Sequence, residues 1–164
     1  MNDLQSATMA RTDSAVRRRS TADREPRTAL QQCLVVSPSK QRVKQFEEAA
    51  QNQGWATIVG RDADDAAREA VRNRIQLAVV DLEGVGTPDQ QEYRALVEQL
   101  ATVGADKPLL IVCGPQGDPS GEIWSRQLGV WMYLPGIDDH SDVALLCGEA
   151  RHVLDKMSGS RALS

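Results

Sequence analysis

Five short apolar runs, separated by longer stretches with a helical repeat, constrain this chain more than anything else in it. They are Cys33–Val36, Trp55–Val59, Leu77–Asp81, Leu109–Cys113 and Val130–Leu134. Short runs rich in β-branched residues read as strands buried on both faces. The stretches between them are too long for hairpins, so successive strands must run parallel and connect through right-handed helical crossovers. An α/β class with a doubly wound parallel sheet follows. The middle run, Leu77-Ala78-Val79-Val80-Asp81, ends on a carboxylate. In an open parallel sheet the carboxyl ends of the strands are where ligands and chemistry gather, which makes Asp81 the first candidate functional residue.

The intervening stretches supply five helices. Ser37 suits an N-cap and Pro38 a first helical position, opening a helix over 39–53 whose apolar positions Val43, Phe46, Ala49 and Ala50 fall three and four apart. Gly54 suits its closing cap. Asp62 to Asn73 forms the next helix, with Ala66, Ala67, Ala70 and Val71 inward. Asp89 to Thr102 carries the stripe Tyr93, Leu96, Val97 and Leu100. A short helix from Gly121 to Leu128 is closed by Gly129. The last runs from Ser141 to Met157, leaving 158–164 as a flexible end.

Residues 1–30 show neither period, and such a segment cannot bury enough apolar surface to offset its ordering entropy, so disorder is expected there. This tail holds six Arg against four acids, whereas the remaining residues hold 13 basic and 19 acidic groups. The Arg17-Arg18-Arg19-Ser20 cluster reads as a solvated tail; an acidic contact or a phosphorylated Ser20 is the sharper alternative. An acidic body argues against nucleic-acid binding, which rests on cations neutralising phosphates. No apolar stretch reaches the roughly 18 residues of a membrane helix. The three cysteines, Cys33, Cys113 and Cys147, form no paired motif and fit reduced core thiols of a cytoplasmic protein.

From about residue 31 to residue 157 the chain resembles the receiver domain of two-component response regulators. The opening strand Cys33–Val36, the strand Leu77–Asp81 and the closing stretch Leu128–Pro135 carry the resemblance. It implies a flavodoxin-like, CheY-like sandwich with sheet order 2-1-3-4-5, which would bring Ser37, Asp81 and Cys113 to one end. It also implies a phosphoacceptor at Asp81. The other positions are degenerate: Ser37 and Pro38 stand where receivers carry an acid pair for Mg²⁺, Cys113 stands for a hydroxyl residue, and Gly136 for a lysine. Tyr133 matches the switch aromatic. Phosphoryl transfer to a carboxylate depends on positioning and charge neutralisation, so Asp81 is expected not to be phosphorylated efficiently.

The expected function is therefore a stand-alone receiver-like module that works by protein–protein contact in a signalling pathway, with no enzymatic activity and no cofactor. A signalling kinase, a regulator or a second copy would meet the face of the fourth helix, fifth strand and fifth helix, where Trp124, Trp131 and Tyr133 are either interface anchors or core. One alternative is a phosphorylatable regulator in a phosphorelay, with its Mg²⁺ site rebuilt around Glu83. Another is a small-molecule binder of flavodoxin type. Cys113 reads as a buried structural thiol, because a neighbouring carboxylate raises a thiol pKa. Ser37-Pro38-Ser39-Lys40 reads as a helix cap before it reads as an anion site. His140 among Asp138, Asp139 and Asp142 reads as solvated dipole partners and not a metal site.

Overall fold

A computed structural model describes residues 31–102, 106–137 and 141–163. The chain alternates strand and helix throughout: β1 Gln32–Val36, α1 Lys40–Asn52, β2 Ala56–Gly60, α2 Ala63–Arg72, β3 Leu77–Asp81, α3 Gln90–Thr102, β4 Leu109–Gly114, α4 Pro119–Gln127, β5 Met132–Pro135 and α5 Ser141–Leu163. The sheet is parallel, in the order β2-β1-β3-β4-β5. This is the doubly wound sheet expected from the spacing of the apolar runs, in the flavodoxin-like strand order that the receiver resemblance implied.

Strand alternation decides which side chain meets which helix. Leu77 and Val79 of β3, Cys33 and Val35 of β1, and Ile111 and Cys113 of β4 pack with Phe46, Ala49 and Ala50 of α1 and with Val143, Cys147 and Ala150 of α5. Ala78, Val80, Leu34, Val36, Leu110 and Val112 face the opposite layer of α2, α3 and α4. All three cysteines are fully buried, and all three lie in the α1/α5 layer. The Trp55 indole N–H, buried in the same layer, donates to the Cys147 carbonyl at 2.9 Å. Every residue of β3 is buried, as its continuous apolar run requires.

Helix ends depart from the sequence expectation where a polar side chain has two possible employments. Ser39, not Ser37, caps α1, accepting the Arg42 N–H, and Pro38 stays in the preceding loop. The Ser37 hydroxyl turns instead to Asp81. α4 begins at Pro119 and not at Gly121, because the Asp118 carboxylate accepts the Gly121 N–H and Pro119 is preset for the first turn. α5 runs on to Leu163, so the stretch after Met157 is helical and not a loose end; with no proline to stop it, each added residue gains a backbone bond. Val71 points outward at 80% exposure. The reason lies in α2, which is seated on Ala63 and Ala66: a Cβ at Gly60 would lie 2.6 Å from the Ala66 Cβ. Val71, one step past Ala70, is then turned about 100° off the inner face.

Among the described residues no helix is long and apolar enough to cross a membrane, and no group of three metal-ligating side chains is present. Residues 1–30, with the Arg17–Arg19 cluster and Ser20, lie outside the described residues, as do Asp138, Asp139 and His140.

Candidate functional site

Period-two alternation along β3 sends Asp81 to the α1/α5 side of the sheet, at the carboxyl end of the central strand. Its carboxylate is fully buried but not alone. The Ser37 hydroxyl donates to Oδ2 at 2.7 Å, and the Glu83 backbone N–H donates to Oδ1 at 3.0 Å. Ser37 in turn accepts the Ser39 N–H at 3.1 Å, which ties the start of α1 to the acid.

The decisive neighbour is Arg42. From the first turn of α1 its guanidinium reaches Asp81 at 3.3 Å, the Glu83 carboxylate at 2.9 Å and the Ile137 carbonyl at 3.2 Å. The same group packs over the Phe46 ring, 5.8 Å from its centre. One cationic side chain thus bridges the end of β3, the loop after it and the loop after β5. Burial nonetheless pushes the Asp81 carboxyl above its ordinary range, outweighing the Ser37 hydrogen bond, the Arg42 charge and the Glu83 N–H.

The register then fixes what else lies in that row. Asp81 pairs with Cys113, and Cys113 pairs with Leu134. The β5 residue level with Asp81 is therefore Leu134. Gly136, to which the sequence reading assigned the lysine position, lies beyond the strand, where its N–H donates to the Gly114 carbonyl at 2.8 Å. Neither residue offers a cation. Cys113 is fully buried, and burial first and Asp81 second raise its thiol well above the ordinary value, so it stays protonated.

Tyr133 lies on the other side of β5, level with Val112, and packs toward α3 and α4. Its ring crosses the end of β4 where Gly114 has no Cβ; any side chain there would collide with it. The Tyr133 hydroxyl is shut away without a hydrogen-bond partner among the described residues. Trp124, under the Arg94 guanidinium at 5.0 Å, joins the same layer, whereas Trp131 packs against the α1/α5 layer. All three aromatics are half-buried, each part core and part surface.

An Mg²⁺ ion of the kind receivers carry does not fit these residues. Ser37 and Pro38 provide no carboxylate, and a tethered guanidinium already lies against the two acids, Asp81 and Glu83. Arg42 was missed in the sequence reading, although its signal was present. Asp81 falls in phase with Leu77 and Val79, and the helix after β1 covers that face, so a cation in the first turn of α1 was bound to come near.

No family model and no curated protein sequence matches the chain. Solved structures do. A response regulator receiver domain protein from Clostridium thermocellum is 14% identical with a TM-score of 0.62, the match covering 78% of this chain and 99% of that one. A CheY-like receiver domain protein from Methanospirillum hungatei is 14% identical with a TM-score of 0.64, covering 80% and 99%. The receiver domain of AraT, a response regulator from Geobacillus stearothermophilus, is 16% identical with a TM-score of 0.64, covering 79% and 99%. The fold is that of a response-regulator receiver domain. Identities this low carry the receiver fold and not its chemistry, which has to be argued from the side chains at Asp81.

Proposed function

We propose that this receiver-fold protein is a protein–protein interaction module of a signalling pathway that works without phosphorylation and catalyses no reaction. The observation that carries the reading is Arg42, whose guanidinium lies against Asp81 and Glu83. A receiver draws its positive charge at this place from a metal ion and a lysine, and both leave the site open to an incoming phosphoryl group. A guanidinium tethered through α1 supplies the charge permanently. It satisfies the carboxylate and occupies the approach to it. Cys113 and Leu134 add no hydroxyl and no cation in the same row. The phosphorelay alternative would need Glu83 as a metal ligand, and Glu83 is already engaged with Arg42.

The partner surface of this reading is the face of α4, β5 and α5. Ile123 at 57%, Met132 at 37% and Leu145 at 67% are large apolar residues exposed on these three elements, and half-buried Trp131 adds to them. Exposed apolar groups gathered on neighbouring elements are what protein contacts use. The occupant is a protein of the pathway or a second copy of the chain, and the cytoplasm is the proposed location, in keeping with three free buried thiols.

Incubation with acetyl phosphate and Mg²⁺, followed by intact mass measurement, tests the reading. The expected result is an unchanged mass for the natural sequence. A phosphoryl adduct on Asp81 would overturn it.

A further inference from the structure

The end of the sheet opposite Asp81 carries a second concave site. A cavity of about 150 Å³ opens among the residues that precede β1, β3 and β4 and the second half of α5. A cavity of about this size is large enough for a benzene-sized molecule. Its walls combine three chemistries. Arg74 and Lys107 are exposed cations that form no ion pair among the described residues. Ile75, Leu154 and Met157 form the apolar part. Gln31 also lines it, and its side-chain Oε1 is shut off from solvent with no hydrogen-bond partner among the described residues. The floor is fixed, since the Gln76 amide oxygen accepts the Gln32 N–H at 2.8 Å.

We propose that this cavity binds a small aliphatic acid bearing an amino or hydroxyl group next to its carboxylate. The carboxylate goes to Arg74 and Lys107, for which there is no ion pair among the described residues, and the aliphatic part lies on Ile75, Leu154 and Met157. The neighbouring donor is met by the Gln31 side-chain amide, which lines the cavity. Asp106 also lines the cavity. The inference does not depend on the reading of Asp81. It gives the module an input at the end of the sheet away from the receiver site.

The test uses the full chain and follows backbone amide NMR signals during titration. The probes are L-leucine, 2-hydroxy-4-methylpentanoate, 4-methylpentanoate and 3-methylbutylamine. Saturable shifts at Gln31, Gln32, Gln76 and Lys107, with none at Glu83, are expected for at least one of the first two. The tighter of those two identifies the donor. Arg74→Met and Lys107→Met should each weaken that binding about tenfold, the effect of losing one charge-assisted hydrogen bond, with unchanged melting temperature because both side chains are exposed. Gln31→Leu should weaken it while leaving 4-methylpentanoate unaffected. Absence of saturable shifts with both of the first two probes would overturn the proposal. So would equal binding of 4-methylpentanoate, or binding indifferent to Arg74→Met.

Discussion

The two ends of the parallel sheet use charge in opposite ways. At the carboxyl end, where an α/β fold ordinarily receives its ligand, the acids Asp81 and Glu83 are closed off by Arg42 from the same chain. At the amino end Arg74 and Lys107 line a cavity, and among the described residues neither has an ion pair. The end that the fold makes reactive is self-satisfied, and the end that the fold usually leaves idle is open. A fold therefore fixes where a site can be built, whereas the neighbouring side chains decide whether it is left available.

The largest expected effect comes from breaking the closed end. Arg42→Ala strands a fully buried carboxylate and should cost about 2–3 kcal/mol in urea unfolding. A double-mutant cycle with Asp81→Asn should then return part of that loss as coupling. A cost under about 0.5 kcal/mol would mean that Arg42 is an ordinary surface charge.

Gly114→Ala should cost about 1–3 kcal/mol, because the new Cβ drives into the Tyr133 ring. Phenylalanine at 133 in the same background should recover part of it, by removing the hydroxyl that the Cβ meets first. Full stability of Gly114→Ala would show that the ring can swing away.

The third test is the dependence on pH. The Asp81 carboxyl is raised in the folded state above its unfolded value of about 3.9, so the folded state holds the proton more tightly between those two values. The stabilisation linked to this group is complete below the unfolded value and is lost as pH rises through the folded one. The natural protein should therefore gain stability relative to Asp81→Asn as pH falls through that window, as read from paired melting curves. A gain with rising pH would reverse the sign and mean that Arg42 outweighs burial.

The smallest effect belongs to the open end. Arg74→Met and Lys107→Met should change stability by less than about 0.5 kcal/mol, since both are exposed and neither has an ion pair among the described residues. A cost above about 1 kcal/mol would mean that the amino end is tied into the fold like the carboxyl end, and the contrast would vanish.

Much of the architecture was legible before any coordinates. The Leu77–Asp81 run could be little else than a central strand, and Tyr93, Leu96, Val97 and Leu100 are the buried residues of α3 that their spacing indicated. Val71 misled because apolar character says nothing about how closely a helix approaches its sheet; the Gly60–Ala66 contact sets that. Ser37 misled because a serine ahead of a helix has two suitable roles, and only the tertiary neighbour Asp81 settles which one it takes. The candidate site was half visible. That Cys113 brings no hydroxyl and Gly136 no cation was apparent from the residues themselves. Arg42, 39 residues before Asp81, shows only when the strand phase is combined with the side of the sheet that the following helix covers.

One consequence of the layered core concerns chemical labelling. Cys33, Cys113 and Cys147 belong to β1, β4 and α5, yet all three thiols lie on the α1/α5 side, and each is fully buried. An alkylating reagent reaches them only when that layer parts from the sheet, so the speed of modification measures the opening of one side of the molecule. The other side carries no thiol among the described residues and stays silent, which gives the protein a built-in reporter on half of its own breathing.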